Sequence, residues 1–152
     1  MKRIVLISCV SKKGNKKTKA KDLYKGPLFT NSLTFAEKLN PDNIFILSAK
    51  YGLVDINREI EPYDVTLSYV SPSKRMNKPD LMVLSKAETD NWGLKVLKQL
   101  RQVADLDRDE FIILAGQSYI KPIQNGLTNI LEPLKGLKQG ERVNFLKEHN
   151  LL

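Results

Sequence analysis

Three short apolar runs stand out along the chain, and longer segments of mixed character separate them. The runs cover residues 3–8, 43–47 and 110–115, and they are rich in Ile, Val, Leu and Phe. Runs of this length and composition are typical of strands buried on both faces of a parallel sheet. Pro27 is placed to start a helix, and residues 27–39 carry apolar residues at helical spacing.

The second half of the chain predicts three further helices and a short strand. Ser85 and Glu88 have the spacing of a capping box. The helix that they open should end near Asp105 and carry four core residues on one face: Trp92, Val96, Leu100 and Val103. A short helix after the third strand should break near Gly126, residues 128–131 should form a last strand, and residues 139–149 should be helical.

Polar segments follow each predicted strand. We expect residues 10–25 to form a long loop, residues 48–67 to form a second polar loop, and residues 68–80 to be mobile. Strands that alternate with helices indicate βαβ units and a mostly parallel sheet covered on both faces. The predicted fold is therefore a three-layer α/β sandwich, and residues 1–152 form a single domain.

Composition narrows the class of protein. A chain of 152 residues can bury roughly two-thirds of its unfolded surface without a disulfide or a metal. Cys9 is the single cysteine, which excludes an intrachain disulfide and favours a reducing, cytoplasmic location. No stretch approaches the ~18 apolar residues of a membrane span. The sequence predicts no membrane partner and leaves the oligomeric state open.

Positive charge is concentrated in one segment. The chain carries a net charge of +8, and residues 10–25 hold seven lysines against one aspartate, a local charge of +6. Such a cluster attracts polyanions by releasing their counterions, which favours a nucleic acid or a phosphorylated small molecule as partner. The alternative is a solvated loop. The predicted nucleic-acid contacts are Lys12, Lys16, Lys17, Lys19 and Lys21.

The inventory of reactive groups argues against several common mechanisms. His149 is the only histidine, so a Ser-His-Asp or Cys-His arrangement and a histidine-based metal site are disfavoured. The chain has neither a GxxxxGK[ST] loop nor a GxGxxG after a strand, which argues against NTPases and dinucleotide enzymes. We predict no metal and no cofactor.

The remaining candidates are Cys9, lysines, carboxylates and tyrosines at the carboxyl ends of three strands. Open α/β sheets bind ligands in the crevice at that edge. Asp64 can stabilise a cationic sugar or activate water, and Tyr51 and Tyr63 can stack on a base. The alternatives are that Asp64 is an ordinary surface acid, that the tyrosines pack the loop, and that Cys9 is a small buried apolar residue.

Several motifs together resemble a bacterial and phage family of unknown function, over nearly the whole chain. They are Cys9-x-x-x-Lys13, Asp22-Leu23-Tyr24, Leu47-Ser48-Ala49-Lys50-Tyr51-Gly52-Leu53, Glu61-Pro62-Tyr63-Asp64-x-Thr66-Leu67, Leu114-Ala115-Gly116-x-x-Tyr119 and Leu134-x-Gly136-Leu137-x-x-Gly140. The Leu47–Leu53 and Pro62-Tyr63 segments also resemble the YaaA peroxide-stress family, which is associated with DNA binding. The Cys-x-x-x-Lys motif resembles the lysine-transferring domain of archaeosine synthase, which modifies a tRNA base and is similar to uracil-DNA glycosylases.

These resemblances imply a uracil-DNA glycosylase-like fold and an enzyme that acts on a nucleobase or nucleoside, free or in nucleic acid. The reaction would be cleavage of the N-glycosidic bond or modification of the base. The expected catalytic residues are Asp64, Lys50 and Cys9. The expected substrate contacts are Lys13, Asp22, Tyr24, Ser48, Tyr51, Gly52, Glu61, Tyr63, Gly116 and Tyr119. The alternative is a non-catalytic nucleic-acid-binding protein in stress response or phage defence.

Overall fold

Strands and helices alternate along most of the chain in the computed structural model, which describes residues 1–151. The strands are β1 (Arg3–Ser8), β2 (Thr18–Lys19), β3 (Asn43–Ser48), β4 (Gly52–Asp55), β5 (Glu59–Ile60), β6 (Val65–Thr66), β7 (Met82–Val83), β8 (Glu110–Leu114) and β9 (Asn129–Leu131). The helices are α1 (Ala20–Leu23), α2 (Pro27–Lys38), α3 (Pro72–Met76), α4 (Lys86–Arg101), α5 (Gln117–Gln124) and α6 (Gln139–Asn150).

A five-stranded sheet with the order β4-β3-β1-β8-β9 forms the centre of the fold. β1 is parallel to both of its neighbours, and Leu6 pairs with Phe45 on one side and with Ile113 on the other. β8 and β9 are also parallel, whereas β4 is antiparallel to β3. The predicted α/β class and the mostly parallel sheet are therefore confirmed.

The helices cover both faces of this sheet. The chain moves from β1 to β3 in one direction and from β3 to β8 in the other. Right-handed crossovers in opposite directions place their helices on opposite faces. Accordingly, α2 packs against α6 and β1, and α4 packs against α5 and β4. Ile4, Val5 and Leu6 are fully buried, as the continuous apolar run of β1 predicts.

Helix α4 begins where the capping box places it. The Ser85 hydroxyl accepts from the Glu88 N–H, and the Glu88 carboxylate accepts from the Ser85 N–H. Three of the four predicted core residues, Trp92, Val96 and Leu100, are buried. The helix ends at Arg101 and not near Asp105, which leaves Val103 37% exposed. The prediction for Val103 is therefore wrong.

Close contact between α4 and α5 depends on Gly93. A Cβ atom at this position would lie 2.3 Å from the carbonyl oxygen of Pro122, which is too short for a van der Waals contact and would be a steric clash. The absence of a side chain lets the two helices approach each other and cover their face of the sheet together.

Residues 10–25 are more ordered than the sequence predicts. β2 pairs antiparallel with β5, and α1 follows at once. Leu23 and Tyr24 are buried in the core. The interpretation of the whole segment as a loop is wrong, because a few apolar residues among the lysines anchor it. The hairpin that adds β4 to the sheet also went unpredicted.

The C-terminal elements agree with their predictions. α5 ends before Gly126, β9 occupies most of the predicted strand at residues 128–131, and α6 covers the predicted helix at residues 139–149. Among the described residues, no helix combines the length and apolar character that crossing a membrane requires.

Candidate functional site

An open cleft of about 290 Å³ lies between the segment that follows β1 and the segment that follows β5. Its lining consists of Ser11, Lys13, Gly14, Pro62, Tyr63 and Asp64. Backbone hydrogen bonds fix the first segment, since the Gly14 N–H donates to Leu23 O and the Lys25 N–H donates to Lys12 O, each over 2.8 Å. The loop that carries Lys13 is therefore held in place.

Lys13 is the partly buried cation of the cleft. Its Nζ lies 4.5 Å from the centroid of the Tyr63 ring and 5.8 Å from that of Tyr24. Burial lowers the pKa of Lys13, while electrostatic interaction with Cys9 and Asp64 opposes this shift. Desolvation disfavours the charged form of an amine, so Lys13 releases its proton more readily than a surface lysine. Asp64 is exposed at the mouth of the same cleft.

Behind the cleft lies a buried polar cluster, which we call the tyrosine cluster: Cys9, Tyr24, Ser48, Tyr63 and Tyr119. The Tyr63 hydroxyl is central, because it lies 2.6 Å from the Tyr24 hydroxyl and accepts from Ser48 Oγ over 2.8 Å. Ser48 Oγ in turn accepts from the Tyr51 N–H over 3.0 Å. Burial raises the pKa of both Tyr24 and Tyr63. The phenols therefore remain neutral hydrogen-bonding groups.

Cys9 and Tyr119 form the other half of the tyrosine cluster. Cys9 Sγ lies 3.4 Å from the Tyr119 hydroxyl, which also accepts from the Leu67 N–H over 3.5 Å. Burial, followed by the charge of Cys9, raises the pKa of Tyr119. The Trp92 indole donates to Ser48 O over 2.8 Å, and its ring meets Tyr119 edge-on. These contacts fix the carboxyl ends of β1 and β3 against α4 and α5.

The structure brings together only part of the predicted site. Lys13, Tyr63 and Asp64 line the cleft, with Cys9 and the rest of the tyrosine cluster behind them. Lys50 is exposed and lies over the Tyr51 ring, outside the lining of the cleft. Its predicted convergence with Asp64 and Cys9 is therefore not seen.

Tyr51 and Tyr63, which we expected to stack on a base, are not arranged to hold one base between them. The two rings are nearly perpendicular, with an interplanar angle of 84° and a centroid distance of 5.7 Å. Tyr63 is only 8% exposed, and its hydroxyl is fixed by Tyr24 and Ser48. Two nearly perpendicular rings cannot stack on the opposite faces of one base. Tyr51 is half-buried and keeps partial access.

Four further predicted contacts do not line the cleft. Asp22 and Glu61 are exposed and lie outside its lining. Gly52 is the first residue of β4, with a φ of 77°, and it packs against α4. Gly116 lines a second, smaller cavity. Gly52 is therefore a structural residue, and Gly116 belongs to a different site from the one predicted for it.

The lysine-rich segment at residues 10–25 presents a basic surface beside the cleft. Lys12, Lys16, Lys17 and Lys19 are exposed, and Lys21 is half-buried. Lys78 also lies close enough to lower the pKa of Lys13 further. Lys78 therefore adds to the positive charge around Lys13.

Sequence reasoning missed Ser11, Gly14 and Pro62 as lining residues. Pro62 lies inside a motif that was recognised, and Gly14 adjoins Lys13, so their neighbours offered a signal. Within residues 1–151, no group of three or more His, Cys, Asp and Glu side chains is arranged to hold a metal ion.

Residues 4–148 match the sequence profile of a family described as a family of unknown function, DUF6884. The chain belongs to this family. None of the curated proteins compared with the chain matches it. Membership in DUF6884 confirms the resemblance to a family of unknown function, and the match covers all of the sheet except Arg3, together with both segments of the cleft.

Proposed function

We propose that this DUF6884 protein is an enzyme that acts on a nucleobase or nucleoside, free or in nucleic acid, at the N-glycosidic bond or by modifying the base. One observation carries the proposal: a partly buried lysine, Lys13, and a carboxylate, Asp64, face one cleft whose floor is the Tyr63 ring. The cleft lies beside a basic surface suited to phosphate groups.

The two charged groups suit cleavage of an N-glycosidic bond. The transition state of such a cleavage resembles an oxocarbenium ion, and a nearby carboxylate stabilises it or activates the attacking water. Asp64 would perform this role. The departing base needs a proton or a hydrogen-bond donor, and Lys13, whose pKa is lowered by burial, would supply it.

Other predicted residues have supporting roles in this proposal. The tyrosine cluster would hold the wall of the cleft in place, because its hydroxyl groups bond to one another. Tyr51 is half-buried and would offer a ring edge or face to a base at the rim. Lys50 lies above that ring and would contact a phosphate outside the cleft.

The fold agrees with the proposal. A mostly parallel sheet with helices on both faces is the architecture expected of a uracil-DNA glycosylase-like protein, and the ligand site of such sheets lies at the carboxyl edge. The motif resemblances to the archaeosine synthase domain and to the YaaA family point to the same substrate class. We include the uracil-DNA glycosylase-like fold in the proposal on these grounds.

A panel assay tests the proposal. The protein is incubated with nucleosides, nucleotides, modified bases and short single- and double-stranded oligonucleotides, and base release or mass change is followed by chromatography. We expect turnover of one class, a loss of about 10²-fold or more in Asp64→Asn, and an unchanged melting transition. Glu37→Gln removes an exposed carboxylate from α2 and should retain full activity. Equal activity in Asp64→Asn and Glu37→Gln would refute the role of Asp64.

The second candidate function is non-catalytic binding of nucleic acid, in stress response or phage defence. The exposed lysines on one side of the cleft favour it. In the same panel, oligonucleotides that raise the melting temperature without being changed would support this function, and turnover of any member would support the enzyme.

A further inference from the structure

We propose that a second site, at the N-terminus of α5 beside Arg142, binds the phosphate group of a small molecule. The site is separate from the Lys13–Asp64 cleft, and the inference does not depend on the proposed function. Its cavity is lined by Ser8, Val10, Leu28, Phe29, Ser32, Leu114, Ala115, Gly116, Leu134 and Arg142. It therefore lies between the carboxyl ends of β1 and β8.

The position of the cavity follows from the strand order. The chain leaves β1 toward β3 on one side and later returns to β8 on the other side. The two crossovers diverge at this point, so a crevice opens between the ends of β1 and β8. Ligands of open α/β sheets bind at such a switch point.

The N-terminus of α5 supplies unpaired donors. Gly116 is the N-cap of this eight-residue helix and provides no capping side chain. The first N–H groups of a helix have no intrahelical acceptor. Together with the helix dipole, these groups form a binding site for an anion.

Arg142 adds a full positive charge at the same place. A Cβ atom on Gly116 would lie 3.3 Å from Nη1 of Arg142, so the guanidinium packs directly against the glycine. Arg142 Nε donates to Leu137 O over 3.0 Å, which fixes the side chain in this position. A cation at a helix N-terminus is unfavourable without an anion between them.

Acidic side chains of the described residues do not supply that anion. Within residues 1–151, no carboxylate forms an ion pair with Arg142 at 4.0 Å or less. Glu132 is fixed nearby, but it accepts from Gln117 Nε2 over 2.9 Å. Glu141 accepts from the Lys138 N–H. The described residues therefore leave the Arg142 guanidinium without an anionic partner.

Ser32 provides independent support for a ligand. It is 2% exposed, and it lines the cavity from α2. The neighbouring Thr30, Asn31 and Thr34 side chains bond to carbonyl groups of the preceding turn. No such bond engages the hydroxyl of Ser32 within residues 1–151. Its oxygen is not fully enclosed, so it is open to a ligand or a water molecule in the cavity that the residue lines.

The small volume of the cavity limits how much of a ligand can enter it. The enclosed volume is about 10 Å³, enough for one oxygen-sized atom. One oxygen of a phosphate would enter toward Ser32, and the remaining oxygens would lie at the mouth, between Arg142 and the first turn of α5. Arginine and helix N-termini are both suited to this group.

Amide NMR spectra of the full chain, titrated with inorganic phosphate at an ionic strength held constant with chloride, test the proposal. We expect saturable shifts at Gly116, Gln117 and Ser118. A nucleoside monophosphate and a sugar monophosphate form two further arms. Tighter binding of either ester identifies the source of the phosphate, and equal binding of all three supports recognition of the group alone.

Variants separate this site from general attraction to a basic protein. Arg142→Gln should raise the Kd at least tenfold, and Ser32→Ala should raise it about threefold or more. Arg108→Gln removes an equal charge from an exposed turn and should leave the Kd unchanged. If Arg142→Gln does not fold, Ser32→Ala decides the question. Shifts that do not saturate, that spread over residues 12–25, or that persist equally in the folded variants would overturn the proposal.

Discussion

The hydroxyl groups of Tyr24 and Tyr63 lie 2.6 Å apart, and this contact joins the lysine-rich segment after β1 to the segment that carries Asp64. Tyr24 belongs to the segment on one side of the cleft, and Tyr63 belongs to the segment on the other side. Their bond, with that from Ser48 Oγ to Tyr63, fixes the distance between Lys13 and Asp64. The tyrosine cluster is thus a structural element that determines the shape of the cleft.

Replacing Tyr63 with Phe should destabilise the protein by about 1–3 kcal/mol, because it leaves the buried Tyr24 hydroxyl without this partner. Chemical denaturation measures the change in the free energy of unfolding. Tyr69→Phe is the matched control, since Tyr69 is 84% exposed and should change stability by less than about 0.5 kcal/mol. Equal changes in the two variants would show that the hydroxyl contact contributes nothing.

Stability should fall as the pH rises above about 10. Burial raises the pKa values of Tyr24, Tyr63 and Tyr119, so the native state keeps these protons where the unfolded state loses them. The unfolded state then binds fewer protons, and the free energy of unfolding decreases by about 1.4 kcal/mol per pH unit for each such tyrosine.

Lys13 acts in the opposite direction. Burial lowers its pKa, so the unfolded state binds more protons and stability increases as the pH rises toward the ordinary pKa of 10.5. Above that pH, Lys13 adds no further increase. Above that value the three tyrosines should dominate. Denaturation curves at a series of alkaline pH values measure the slope, which should be smaller in Tyr63→Phe. A free energy that stays constant or rises over this range would contradict the prediction.

Gly52→Ala should destabilise the hairpin between β3 and β4 by more than about 1 kcal/mol. The residue has a φ of 77°, and a Cβ atom would lie 2.5 Å from Oε1 of Gln99, whose oxygen accepts from the Leu53 N–H. Gly140→Ala is the matched control, because α6 leaves open space there and alanine favours helix by about 0.5–1 kcal/mol. The two variants should therefore shift the melting temperature in opposite directions. A similar shift in both would contradict the proposed strain at Gly52.

The apolar pattern predicted the central sheet well, because short-range sequence signals are sufficient to indicate its main strands and the start of α4. β1 and β8 are continuous apolar runs that are buried on both faces, and Ser85 with Glu88 marks the start of α4 without any tertiary information. The segment at residues 10–25 behaved differently. Lysines dominate its composition, yet Leu23 and Tyr24 bury themselves in contacts with distant parts of the chain, which no local pattern reveals.

The candidate site was predictable in its location and less so in its geometry. Strand ends indicated that Lys50, Tyr51, Tyr63 and Asp64 would meet in one pocket with Cys9 and Gly116 on its walls. Tyr63 and Asp64 do line one cleft, together with Lys13, whereas Lys50 and Gly116 lie outside its lining. The perpendicular rings of Tyr51 and Tyr63 depend on packing between two loops, which sequence spacing does not encode. Arg142 lies on α6, which packs against α2, and its contact with Gly116 joins distant parts of the chain, so no local motif indicated it.

The lysines at residues 16–19 should determine how binding of a nucleic acid depends on salt. β2 and α1 anchor this segment, so Lys16, Lys17 and Lys19 are exposed on a fixed surface. Each phosphate contact adds about 0.9 to the slope of log affinity against log salt for duplex DNA, so replacing all three with alanine should flatten the slope by roughly two to three. Preference among bases should not change, since phosphate contacts position the ligand without reading its sequence.

Lys98, Lys135 and Lys147 are exposed elsewhere, and their triple alanine variant removes the same charge as a matched control. An equal slope change in both variants would mean that net charge alone drives binding. An unchanged slope in the first variant would favour a small nucleotide held in the cleft by Lys13.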